Sequence, residues 1–478
     1  MMQRLSFHDP DGFVVEHDGV IYRWIKYTPN NRIRQFLSST LARELVLNGL
    51  MVAAEPCANP VRDYCNPVVF DGTGQWYRHE KVWFPSYPHE WVPEMLVAAG
   101  QLSLLINQQL INAGYILKDA TAKNVLFDGI APVFIDLLSI VRRSVESPVW
   151  RAMGQFERHF INPILALRYV GCSSSRLHFS FPDGFYPEDF FNMLGIRAFL
   201  HPSLIRSAVL PSLFGKTTEL FKAKRKVNFP ENIALSVLKS TISTLGARLN
   251  SAVRQLPRPK SHWVDYNLSR SHYKADSVGI KESLISNWLS NIAPKTVLDI
   301  GANTGSFSCM AAKQGAKVVA LEADESAARV IHRRAASERL SILPLVMNFA
   351  NPSPAMGWQG REIISFSERA REKFDLVLVL AVMHHLIISS GIPCHELIGA
   401  VAECTKEYVA MEYISPVDVM VKNLMNIYDY PLECYPVEDN FVEILGNYFD
   451  VFDRQVLVDG ERTAYLLSKK RPLPIGVL

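Results

Sequence analysis

Apolar residues recur along this chain with two different periods, and the changes of period divide it into segments. Near the start, Phe13 to His17 and Val20 to Tyr27 are β-rich runs joined by Asp18-Gly19, a pair suited to a two-residue turn, so a hairpin is predicted. Arg32 to Met51 and Met95 to Ala113 carry apolar residues near helical spacing, with Asn107, Gln108 and Gln109 keeping the second helix from being wholly apolar. This first segment is therefore α+β. From Trp150 to about Pro257 no strand pattern is clear, and a mainly helical stretch is expected. Pro257-Arg258-Pro259-Lys260 reads as a linker, because two prolines in three residues block helix and ladder alike. Beyond it, strand-like runs at Thr296 to Ile300, Val318 to Glu322, Ser341 to Met347, Phe374 to Ala381 and Tyr408 to Tyr413 alternate with helical ones. That alternation predicts an α/β fold with a parallel sheet and crossover helices. A last pair, Phe452 to Val458 and Arg462 to Leu467, flanks Asp459-Gly460 and should close the sheet with an antiparallel hairpin.

The 478 residues suit two or three domains, drawn here as 1–145 (α+β), 146–260 (helical extension and linker) and 261–478 (α/β). Hydrophobic residues at 48% and charged residues at 20% fit a globular chain and exclude a disordered one. A net charge of +3 over this length is too small to imply nucleic-acid or membrane binding. One local excess stands out: Arg206 to Lys260 holds 11 Lys or Arg against two Glu, either a solvated helical face or a docking surface for an anionic substrate or partner. Seven Cys without a C-x-x-C pair support neither a disulfide framework nor a structural zinc site. The longest apolar run, Leu376 to Ile388, carries two His and is shorter than the roughly 20 residues of a bilayer crossing, so no membrane span is expected. The N-terminus lacks a signal-like apolar core, and a cytoplasmic location is expected.

Candidate chemistry lies first in Val297-Leu298-Asp299-Ile300-Gly301-Ala302-Asn303-Thr304-Gly305, a strand running into a glycine turn and then a helix. Gly301 and Gly305 let backbone approach a ligand at the strand's carboxyl end. The spacing is not G-x-G-x-x-G, and Asp299 would repel a pyrophosphate, so a cationic, phosphate-free cofactor fits better. The next strand ends in Glu322, a carboxylate suited to a ribose diol. After the fourth strand come His384 and His385, either of which could take a proton from an attacking hydroxyl or simply pack or cap the following helix. Glu412, ending the fifth strand, is a second candidate base. His262, Trp263, Tyr266, His272 and Tyr273 form an aromatic cluster that either lids the pocket or packs.

On these motifs the region from about Tyr273 to Lys470 resembles the class I S-adenosylmethionine-dependent methyltransferases, with their Rossmann-like sheet. The resemblance implies that Asp299, Gly301, Asn303 and Gly305 line the methionine end of S-adenosylmethionine and that Glu322 holds the ribose. Asn348 stands at the adenine position, where the family often has Asp. In the first segment, Leu117-Lys118-Asp119, Asn124 and Asp136 have the spacing of a kinase catalytic loop and metal-binding Asp. This part resembles the protein-kinase-like and aminoglycoside-phosphotransferase-like fold. The likeness implies that Asp119 orients an acceptor hydroxyl, Asn124 and Asp136 bind magnesium, Lys26 contacts ATP phosphate, and Glu44 pairs with Lys26. No G-x-G-x-x-G loop precedes Lys26, and Leu137-Leu138 follows Asp136 where kinases usually have Phe-Gly.

A kinase-like half before a methyltransferase half is similar to the NoeA-type nodulation methyltransferases; Phe84-Pro85-Ser86-Tyr87-Pro88 and Asn351-Pro352-Ser353-Pro354 are further cues. The expected function is S-adenosylmethionine-dependent O-methylation of a glycan or small-molecule acceptor, with the N-terminal half binding substrate or partner. The alternatives are a bifunctional kinase and methyltransferase, which would use ATP and magnesium, and a non-catalytic cofactor-binding adaptor.

Overall fold

The computed structural model describes residues 2–27, 33–60, 74–214, 229–254, 256, 259, 275–458 and 460–470. Pro257, Arg258 and Lys260 of the expected linker, the aromatic cluster His262, Trp263, Tyr266, His272 and Tyr273, and Asp459 lie outside the described residues. The chain divides into two compact units, Met1–Arg258 with Ala355–Ile363 and Pro259–Pro354 with Ile364–Leu478. Segment 1–145 and all but the last two residues of segment 146–260 fall within the first.

In the first unit, β1 (Met2–Arg4), β2 (Gly12–His17), β3 (Val20–Lys26), β4 (Glu55–Cys57) and β5 (Gly74–His79) form an antiparallel sheet in the order β1-β2-β3-β5-β4. The β2–β3 hairpin turns on Asp18 and Gly19, both at positive φ, as the dipeptide requires. Strand alternation gathers Phe13, Val15, Trp24 and Trp76 into one core cluster. The helix Pro93–Asn112 follows, and Asn107 within it is fully buried: its Oδ1 accepts the Leu117 N–H at 3.0 Å. This polar residue thus anchors β6 (Tyr115–Leu117), which pairs with β9 (Ile140–Arg142); between them β7 (Val125–Asp128) and β8 (Ala131–Phe134) make a second hairpin. The rest of the described unit is helical, including the long helix Glu231–Arg254.

The second unit holds a seven-stranded sheet of β10 (Thr296–Ile300), β11 (Lys317–Glu322), β12 (Ile342–Val346), β13 (Phe374–Val379), β14 (Thr405–Ile414), β15 (Phe449–Val458) and β16 (Arg462–Lys469). Its order is β12-β11-β10-β13-β14-β16-β15, parallel through β14 and antiparallel at β16 and β15. This is the expected Rossmann-like sheet with an antiparallel close. Because β10 to β13 are buried on both faces, they read as near-continuous apolar runs. The order reverses between β10 and β13, and ligands of such sheets bind in the crevice beyond the strand ends at that reversal.

Candidate functional site

The loop after β10 is bent by three left-handed residues, Gly301 (φ 72°), Asn303 (φ 51°) and Gly305 (φ 78°). It is tied to the next strand: the Gly301 and Ala302 N–H groups donate to the Leu321 carbonyl at 3.0 and 2.9 Å. A Cβ on Gly301 would stand 2.6 Å from the Val382 side chain, which belongs to the loop after β13, and one on Gly305 would meet Ile331 at 3.0 Å. Glycine is therefore required by the close approach of the two loops at the sheet's reversal point. Ala381 (φ 56°) opens the β13 loop in the same unfavourable region, a local strain of the kind found at ligand sites.

Glu322 ends β11 with its carboxylate fixed at both oxygens, which accept the Asn303 N–H at 2.7 Å and the Asp324 N–H at 2.8 Å. Burial pushes its pKa up, opposed by those same two bonds. Each oxygen keeps a lone pair for a further donor. Asp299 is 3% exposed and turned toward the helix Ser306–Lys313, where it accepts the Ser308 Oγ–H at 2.5 Å; burial pushes it up to about 6. Asn348 is exposed, and its Oδ1 accepts the Ala350 N–H at 2.9 Å.

His384 is buried and His385 half-buried, with ring centroids 4.2 Å apart. Burial holds His384 well below its ordinary value, and His385, Arg462 and Lys281 add repulsion; burial also lowers His385. His384 Nδ1 is buried without a hydrogen-bond partner among the described residues. Glu412, 1% exposed, sits in a chain of ion pairs: Lys281 Nζ from the helix Ala275–Ile292 on one oxygen and Arg462 at 3.6 Å on the other, while Arg462 also grips Asp418 at 2.8 Å. Lys281 also lies 5.2 Å from the Phe307 ring centre. Lys281, Arg462 and Asp418 were not singled out from sequence. Asp418 could have been found, because Asp just before an apolar run is a helix-cap signal, and its Oδ1 does accept the Met420 and Val421 N–H groups.

In the first unit Asp119, Asn124 and Asp136 are brought together, the Ile135 N–H donating to the Asn124 carbonyl at 2.9 Å and Asp119 sharing the electrostatic field of Asp136. Asn124 Oδ1 accepts the Thr121 hydroxyl at 2.9 Å, and its Nδ2 is buried without a partner among the described residues. The expected Lys26–Glu44 pair is corrected: Glu44 is exposed on the helix Thr40–Leu47 and makes no ion pair with Lys26. Arg23 instead reaches Asp136 at 3.4 Å and the Ile135 carbonyl at 2.8 Å. Residues three apart on a strand face opposite sides, so Arg23 and Lys26 lie on different faces of β3. Burial lowers the Arg23 pKa and raises that of Asp136. Lys118 pairs with Asp9 at 2.8 Å. A charge inside the apolar run Tyr22-Arg23-Trp24-Ile25 was an available signal for Arg23; Asp9 carried none. Among the described residues no group of three His, Cys, Asp or Glu is arranged to hold a metal ion.

The chain matches no family model. It is similar to nodulation protein NoeA of Rhizobium meliloti (strain 1021), 27% identical over 472 residues that span 97% of this chain and 95% of that protein. Among solved structures it is similar to the bifunctional kinase-methyltransferase WbdD, at 19% identity and a TM-score of 0.31 over 47% of this chain and 46% of that one. It is similar also to the N-methyltransferase NodS of Bradyrhizobium japonicum WM9, at 13% identity and a TM-score of 0.30 over 41% of this chain and 99% of that one.

Proposed function

We propose that this chain is an S-adenosylmethionine-dependent methyltransferase acting on an oxygen of a glycan or small-molecule acceptor, with the first unit binding acceptor or partner. The observation that carries the reading is Glu322, a buried carboxylate aimed by two backbone N–H groups and set beside a turn that glycine alone keeps open. Its remaining lone pairs suit a ribose diol, and among the described residues no cationic side chain is bonded to it. S-adenosylmethionine, when bound, supplies an electrophilic methyl group on a sulfonium. Asp299, by holding Ser308, fixes the first turn of the helix that follows the loop. His385, half-buried after β13, is neutral at pH 7 and takes the proton of an acceptor hydroxyl; His384 packs behind it. Glu412, engaged by two cations, serves to hold the fold around the site and not as the base. The likeness to NoeA along nearly the whole of both chains supports a role of the same kind, that of a nodulation protein.

A working kinase half is the weaker reading, because the Arg23 guanidinium occupies the carboxylate that would have to hold magnesium. Calorimetric titration of the full chain with S-adenosylmethionine tests the proposal. Saturable heat at one site per chain is expected, and no binding would overturn it.

A further inference from the structure

Lys281, on the helix Ala275–Ile292 of the second unit, has a side chain only 13% exposed. A cation is kept inside a fold only where other groups answer its charge. Here the Nζ donates to the Glu412 carboxylate near the end of β14 and lies 5.2 Å from the ring centre of Phe307, in the first turn of the helix into which the glycine loop opens. The charge is felt further on. Burial raises the pKa of Asp299 on β10 and Lys281 helps to lower it, while at His384, after β13, Lys281 adds to the repulsion that accompanies burial. One ammonium therefore acts on the three strands β10, β13 and β14 and on the glycine loop.

The strand order says which part of a cofactor would meet it. In the sequence β12-β11-β10-β13-β14, Glu322 stands at the end of β11. The ribose of S-adenosylmethionine carries adenine at one end and the sulfonium at the other. With the diol on Glu322 and adenine toward β12, the sulfonium points toward β10 and β13, the side on which Lys281 acts. Two positive charges then share a site of low dielectric, where each raises the energy of the other. The carboxylate that answers Lys281 is already divided, because Glu412 also meets Arg462 at 3.6 Å, and Arg462 is held in turn by Asp418 at 2.8 Å. Lys281 thus penalises a sulfonium. The neutral thioether left after methyl transfer escapes that penalty.

We propose that Lys281 sets the balance of affinity between S-adenosylmethionine and S-adenosylhomocysteine, disfavouring the charged sulfur and sparing the neutral one; the inference rests on the methyltransferase reading. The test is calorimetric titration of the full chain with each of the two compounds. The wild-type chain should bind S-adenosylhomocysteine at least as tightly as S-adenosylmethionine. Lys281→Gln removes the charge but keeps an N–H donor for Glu412, and it should shift the ratio of the two affinities toward S-adenosylmethionine by about tenfold or more, as loss of a like charge nearby requires. Lys281→Arg keeps the charge and should keep the wild-type ratio. A lysine that only braces the fold would, when replaced, change both affinities by the same factor. That outcome overturns the inference and leaves the methyltransferase reading standing, as does a ratio that shifts as far in Lys281→Arg as in Lys281→Gln. A wild-type preference for S-adenosylmethionine overturns it without any variant, so the test survives if the thermal transition shows that Lys281→Gln does not fold. A wild-type chain that binds neither compound overturns the methyltransferase reading and this inference with it.

Discussion

Glu322 does two things at once, since the carboxylate that would meet the ribose also holds the Asn303 and Asp324 N–H groups. Glu322→Ala should therefore weaken S-adenosylmethionine binding by about 1 to 3 kcal/mol, the scale for losing hydrogen bonds to a charged group, read by calorimetry. An unchanged affinity would remove Glu322 from the cofactor. The two histidines divide by burial: His384 is 6% exposed and feels the charges of Arg462 and Lys281, whereas His385 is half-buried. His385→Ala should lower turnover by roughly 100-fold with cofactor affinity kept, the usual worth of a general base. His384→Ala should lower the melting temperature first. Mild and equal losses of turnover in both would mean that neither is the base.

Between elements, the ion pairs of Glu412 join β14 to β16 and to the helix Ala275–Ile292, and Asp418 extends the chain to the helix Val419–Tyr428. Removing one member leaves buried charge without a counterion. Glu412→Ala should cost about 3 to 5 kcal/mol in urea unfolding, because Lys281 and Arg462 lose their shared partner. A normal stability with a large fall in turnover would return Glu412 to the role of base. The loops at the sheet's reversal are coupled in the same way, through the 2.6 Å approach that a Gly301 Cβ would make to Val382.

For the molecule as a whole, what matters is whether the first unit handles nucleotide. Arg23 pairs with Asp136, Lys118 with Asp9, and Glu44 makes no pair with Lys26. ATP with magnesium should consequently leave the melting temperature unchanged, since only a ligand that binds the native state raises it. A magnesium-dependent shift that disappears in Asp136→Ala would establish a metal site there and favour the bifunctional reading.

Much of the second unit could be read from the chain, because the signals are local. Buried parallel strands need unbroken apolar runs, and the turn from Gly301 to Gly305 needs residues that tolerate positive φ, so β10, β11, β13 and the glycine loop were visible as patterns. The hairpin at Asp18-Gly19 was legible for the same reason. Partnerships were not. Lys281 and Glu412 are 131 residues apart, and Arg23 and Asp136 are 113 apart, and no spacing rule links charges so distant in sequence. The tertiary structure made Glu412 a paired charge instead of a free base, bonded the buried Asn107 to the Leu117 N–H, and set Arg23 on Asp136. Periodicity shows which face of an element is apolar, but the partner of a buried polar group is settled by which elements the folded chain packs together.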